Sequence, residues 1–140
     1  MTFELRICID VPDVDQAVAF YTTALGLKPG RRYRKNWVEL LGAPCPIDLP
    51  GEAAGTSATP AAGTSRDYGR HWTPVHLDWP VDDLEGAIAR AQAAGAKLEG
   101  GIRDRPYGRL AVLSDPFGNG FCLLQFRPGG YDAMLAGSGG

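Results

Sequence analysis

Apolar and polar residues alternate strictly from Leu5 to Val11, with Leu5, Ile7, Ile9 and Val11 on one face and Arg6, Cys8 and Asp10 on the other. The pattern predicts a half-buried strand over residues 5–11, ended by Pro12. Asp13 then stands where a helix cap belongs, and Val14, Ala17, Val18, Tyr21 and Leu25 recur at helical spacing up to Gly26. The same grammar returns 70 positions later. Residues 75–79 alternate, Pro80 follows, Asp83 caps, and Leu84, Ala87, Ile88, Ala91 and Ala94 carry an apolar helical face as far as Gly95. The shift pairs Asp13 with Asp83, Val14 with Leu84, Asp15 with Glu85, Ala17 with Ala87 and Val18 with Ile88. Agreement of capping, acidic and apolar positions over a whole strand–helix unit marks an internal duplication.

Each helix is followed by three short strand candidates: residues 27–33, 36–41 and 45–49 in the first half, and 96–103, 107–113 and 120–126 in the second. The run from Asp115 through Pro116, Phe117, Gly118 and Asn119 to Gly120 has the chemistry of a hairpin turn. The expected architecture is therefore α+β, two tandem βαβββ modules at residues 1–50 and 74–127. Residues 51–73 read as a linker rich in Gly, Ala, Thr and Pro, and 128–140 as a flexible tail. The linker ends in Arg66, Tyr68, His71 and Trp72, which are side chains suited to folding over a pocket, with Trp72 the best candidate for a lid.

Composition narrows the function. Hydrophobic residues make up 44% of the 140-residue chain and charged residues 21%, with a net charge of −2. That balance suits a globular domain and argues against nucleic-acid binding through phosphate neutralisation. No apolar run approaches the roughly 18 residues of a membrane span. Glu4, Arg6 and Asp10 interrupt the first ten residues, which therefore do not read as a signal peptide. Three cysteines without C-x-x-C spacing suit a reducing compartment, so a cytoplasmic location is expected, with no membrane or nucleic-acid partner.

A doubled strand–helix–three-strand module ending in Asp-Pro-x-Gly-Asn resembles the vicinal oxygen chelate superfamily, the group of glyoxalase I, bleomycin-resistance proteins, fosfomycin-resistance enzymes and ring-cleaving dioxygenases. The resemblance spans residues 3–126. It rests on Phe20-Tyr21, Leu25-Gly26-Leu27, His76 with Asp83-Leu84, and Asp115-Pro116-Phe117-Gly118-Asn119. It implies two cupped, mixed sheets facing each other around a cavity, a small-molecule ligand and a homodimer. In metal-dependent members, four inward side chains hold a divalent ion, and the resemblance places those positions on Arg6, Asp48, His76 and Cys122. The internal repeat agrees: the shift of 70 sets Arg6 on His76, and the last strands set Asp48 on Cys122.

The residue types alter the chemistry. Arg6 cannot ligate a metal, because guanidinium stays protonated and offers no lone pair. The favoured reading is a cavity without metal or other cofactor. In it Arg6, balanced by Asp48, receives an anionic or carbonyl-bearing ligand, and His76, Asp78, Tyr107 and Arg109 supply further contacts. The alternative is a zinc-dependent lyase or isomerase of the glyoxalase type on His76, Asp48 and Cys122, with one open position and Arg6 orienting the substrate. A third option makes Cys122 or Cys8 a nucleophile whose thiol is acidified by Arg6 and His76. In a catalytic version of the site, Arg6, His76 and Cys122 carry the reaction. The residues leave open whether the pocket catalyses or only sequesters.

Overall fold

The computed structural model describes residues 3–137. The first module comprises β1 (Ile7–Cys8), α1 (Val14–Leu25), β2 (Lys28–Tyr33), β3 (Trp37–Leu41) and β4 (Ile47–Pro50). The second comprises β5 (Leu77–Pro80), α2 (Leu84–Ala94), β6 (Lys97–Arg105), β7 (Gly108–Ser114) and β8 (Gly120–Phe126), and α3 (Tyr131–Gly137) follows. Each module folds into one four-stranded mixed sheet. The orders are β1-β4-β3-β2 and β5-β8-β7-β6, with β1/β4 and β5/β8 parallel and the remaining pairs antiparallel.

The duplication read from the sequence is visible in the register. Ile7 lies opposite Ile47 and Cys8 opposite Asp48, while Leu77 lies opposite Phe121 and Asp78 opposite Cys122. Both sheets also break register in the same place, between Pro29 and Arg32 and between Glu99 and Arg103. Such irregularities bend a strand and increase its twist, so each sheet curves at its outer hairpin.

The helices start where a carboxylate satisfies an orphan backbone donor. Asp13 accepts from the Gln16 amide at 3.0 Å and Asp83 from the Gly86 amide at 3.1 Å. Asp83→Ala is expected to destabilise the fold by about 0.5–2 kcal/mol. Urea unfolding of the variant should show a lower midpoint at an unchanged slope.

One face of each helix is buried, through Val14, Ala17, Phe20, Tyr21 and Ala24 in α1 and Leu84, Ala87, Ile88 and Ala91 in α2. These side chains share a single core with Val38, Leu40, Ile47 and Leu49 of the first sheet and Ala111, Leu113, Phe121 and Leu123 of the second. α1 and α2 pack against each other, and the Phe20 ring meets Phe121 edge-on at 6.4 Å between centroids. The helix-facing sides of both sheets thus close one interior. The alternate residues fall on the opposite faces: Cys8, Glu39 and Asp48 in the first sheet, Asp78, Val112 and Cys122 in the second.

Two segments are more ordered than their composition suggests. Residues 51–73 form a closed loop in which Gly55 donates to the Arg66 carbonyl and Arg66 to the Thr56 carbonyl, both at 2.8 Å, with a short 3₁₀ turn at Pro60–Ala62. Arg66 then reaches Asp10 at 2.7 Å and ties the loop to the first module. Within the segment read as a tail, Tyr131–Gly137 is helical, and Tyr131 packs against Tyr107 and Phe126 with ring centroids 5.0 and 4.9 Å away. The tail's last three residues lie outside the described residues. The first strand is shorter than its alternation predicts: ladder pairing covers Ile7–Cys8, and Val11 forms an isolated bridge to Gly51.

Candidate functional site

In the first module a guanidinium organises the open face of the sheet. Arg6 Nε donates to Asp48 Oδ2 at 2.9 Å, and Nη2 donates to Asp48 Oδ1 and Glu39 Oε2, both at 2.7 Å. Arg31 grips Glu39 from the far side, through Nη2 at 2.7 Å, Nε at 3.1 Å and its backbone amide at 3.2 Å. Glu39 and Asp48 are buried, at 4% and 6% exposure, whereas the Arg6 side chain keeps 34% of its surface. The hydrogen bonds from Arg31 and then Arg6 hold the Glu39 carboxyl well below the usual range, and Arg6 holds Asp48 down against its burial. Two cations and two carboxylates neutralise one another, and Arg6 Nη1 takes no part in these bonds.

In the second module the corresponding face carries His76, Asp78 and Cys122. His76 Nε2 lies 3.4 Å from Asp78 Oδ1, and one potential donor atom from each of the three residues lies within 4.8 Å of the others. Burial, then the neighbouring Asp78, pushes the Cys122 thiol up to about 11. Burial and Asp48 likewise raise the Cys8 thiol, whose Sγ lies 3.9 Å from Asp48 Oδ2. Both cysteines are therefore protonated thiols near neutrality, the opposite of the acidified nucleophile that Arg6 and His76 would have to create. The two modules repeat one constellation with two members exchanged, a Cys on the edge strand facing an Asp in one and an Asp facing a Cys in the other.

The four positions suggested by the resemblance separate into two pairs. Arg6 and Asp48 are bonded together, and His76 and Cys122 are neighbours, with Asp78 standing beside them where Asp48 had been expected. A divalent ion shared by all four does not fit these residues. Arg6 has no lone pair to offer, and both Asp48 oxygens are committed to it.

A cavity of about 790 Å³ opens between the edge strands β1 and β5 and beneath residues 64–73, here called the strap. Its walls include Ile7, Ile9, Trp72, Leu77, Trp79 and Phe121. His76 lines it too, its ring 4.8 Å from that of Trp72, whereas Arg6, Asp48 and Cys122 do not. Trp72, the lid candidate of the sequence, lines this cavity. The strap is fixed to the second module by the His71 amide, which donates to the Gly118 carbonyl at 3.0 Å, by His71 Nε2 against Asn119 Oδ1 at 2.8 Å, and by the Arg70–Glu99 ion pair.

Tyr107 and Arg109 lie elsewhere. Tyr107 belongs to the aromatic cluster with Phe126 and Tyr131, and Arg109 turns toward α2, where it pairs with Glu85 and donates to Gln125 Oε1 at 2.9 Å. Sequence reasoning missed Glu39 and Arg31. The signal for Glu39 was a lone carboxylate between Val38 and Leu40 in a central strand, which has to find a cation if it is buried.

Residues 6–124 match the family model described as a glyoxalase-like domain. Over 119 residues the chain is 33% identical to the anthracycline biosynthesis protein DauV of Streptomyces sp. (strain C5), covering 82% of this chain and 38% of that protein. The chain therefore spans about two fifths of that relative's length. Among solved structures, the fosfomycin resistance protein FosX from Listeria monocytogenes superposes with a TM-score of 0.68 at 16% identity, over 91% of this chain and 95% of that one. A glyoxalase/bleomycin resistance protein/dioxygenase family enzyme from Burkholderia phytofirmans PsJN superposes with a TM-score of 0.67 at 20% identity, over 87% of this chain and 97% of that one. Tandem modules, matched register and the family match converge on one conclusion: the chain belongs to the glyoxalase-like domain family of the vicinal oxygen chelate superfamily.

Proposed function

We propose that this domain binds a small anionic or carbonyl-bearing molecule through Arg6, without the metal centre of its metal-dependent relatives. The observation that supports this most directly is the posture of Arg6. Asp48 and Glu39 fix its guanidinium through Nε and Nη2, and the two N–H groups of Nη1 remain outside that network on a side chain about one-third exposed. A preorganised fork of this kind suits a carboxylate or carbonyl oxygen. The expected result is saturable binding of a 2-oxo acid probe such as glyoxylate, followed by calorimetry, that weakens at least about tenfold in Arg6→Ala and in Arg6→Lys. The lysine variant keeps the charge and an ion pair but loses the fork. Unchanged affinity in both folded variants overturns the proposal.

A second reading is favoured by the approach of His76, Asp78 and Cys122, whose donor set suits zinc better than a hard cation. Under it the domain is a zinc-dependent lyase or isomerase of the glyoxalase type. Stoichiometric zinc in protein prepared without a histidine tag or chelator, lost in His76→Ala, decides for this reading.

We further propose a homodimer in the cytoplasm. The outer edge of β1 has no neighbour within the described sheets, and Phe3 and Leu5 beside it, which do not line the cavity, are exposed. Contact between copies through Phe3 and Leu5 would cover that apolar surface, and sedimentation should report twice the 14.9 kDa chain mass. All three cysteines are free, as a reducing compartment requires.

A further inference from the structure

We propose that the cavity beneath the strap is a second ligand site, independent of Arg6, and that it takes a neutral, planar aromatic molecule. Its volume of about 790 Å³ falls in the range of small-molecule sites. Aromatic side chains reach it from four parts of the fold: Tyr21 from α1, Tyr68 and Trp72 from the strap, Trp79 from β5 and Phe121 from β8. Ile7, Ile9 and Leu77 line it as well. Such walls stack on a flat ring system and bury its faces.

Several charged and ring groups of the wall already have partners. Arg66, 16% exposed, donates to Asp10 at 2.7 Å and to Thr56 Oγ1 at 3.1 Å, and lies 3.9 Å from Glu52. The Tyr21 hydroxyl donates to the buried Asp115, and the Tyr68 hydroxyl donates to the Glu52 carbonyl at 2.7 Å. Both ring nitrogens of His71 face oxygens, the Gly69 carbonyl and Asn119 Oδ1, each at 2.8 Å. His76 faces Asp78, and Asp67 accepts from the Gly69 amide at the exposed rim. A charged ligand entering here would exchange water for partners already taken, whereas an uncharged aromatic one gains the apolar contacts without that desolvation cost.

The three tryptophans give the test its internal control, because Trp72 and Trp79 line the cavity and Trp37 lies on β3. Flavone, an uncharged planar probe, should quench tryptophan fluorescence saturably in the wild type and equally in Trp37→Phe. Its affinity should fall about tenfold in Trp72→Leu, a change at a side chain 49% exposed that leaves the core intact. A saturated ring compound of similar size should bind at least tenfold more weakly than flavone. Arg6→Ala should leave flavone binding unchanged and glyoxylate should not compete, so failure of the Arg6 site and failure of this one are told apart. Three results overturn the proposal: no saturable quenching, equal affinity in Trp72→Leu, or flavone affinity that falls as protein concentration rises. The last would assign the cavity to a second copy of the chain.

Discussion

Gly118→Ala should release the strap and dismantle the cavity while leaving both sheets in place. A Cβ at position 118 would sit 2.1 Å from the Gly69 carbonyl oxygen and 2.9 Å from that of Tyr68, far inside contact distance. The residue also has φ of +87°, a conformation that costs a non-glycine side chain about 1–3 kcal/mol. The neighbour that must move is backbone, so no rotamer change relieves the clash. Moving it breaks the bonds that the Gly118 carbonyl accepts from the His71 amide and from Arg70 Nη1, at 3.0 and 3.2 Å. Limited proteolysis should then cut within residues 64–73 at least tenfold faster than in the wild type, with flavone binding lost and far-UV circular dichroism retained. A variant cut no faster would show that the strap does not depend on this close approach. Gly120→Ala should act in the same direction, since its Cβ would lie 2.4 Å from the Trp72 ring, but more mildly because a side chain can swing away.

The other large effect is expected at Arg6, and pH gives its signature. Glu39 and Asp48 are held below their ordinary values, so they stabilise the fold above about pH 4.5, and that contribution fades as pH falls through the lowered values. Arg6→Gln leaves Arg31 on Glu39 but strips the cation from Asp48, a buried carboxylate then raised by its burial and by the nearby Glu39 charge against one smaller opposing influence, a hydrogen bond from Trp37. A raised group stabilises the fold in its protonated form, so the variant should gain from acidification toward pH 4.5, a range in which the wild-type carboxylates keep their full contribution. The melting temperature should drop by roughly 5–10 °C at pH 7, with the gap narrowing steadily toward pH 4.5. Glu85, lowered to about 2 by Arg109, titrates identically in both proteins and cancels from the comparison. A gap constant across that range would assign the loss to packing of the arginine stem alone.

The fold was legible because the chain states it twice. Alternation, an aspartate cap and a glycine stop recur at a fixed shift, and the observed register sets the same residues opposite one another in both sheets. The pairing of Arg6 with Asp48 was legible for the same reason, as was the approach of His76 to Cys122. The gathering of all four into one centre was not. Repeat symmetry says which residues are equivalent but not how the open faces of two sheets stand toward each other, which side-chain packing between the modules decides. Strand length misled at β1, where alternation continues from Leu5 while ladder bonds cover two residues. Composition misled in the linker, since its small residues suggest mobility while Arg66 and His71, long-range partners invisible to a local reading, hold it in place. Arg109 misled through parity: one residue along a strand exchanges the cavity side for the helix side, and it shares its face with Ala111 and Leu113.

The shared interior of the two modules bears on how the chain must be handled. Phe20 and Tyr21 meet Phe121 and Asp115 across the boundary between the repeats. Each repeat severed from its twin would expose that seam to water. A truncated gene carrying one repeat would therefore encode a partner in search of its other half rather than a smaller working domain.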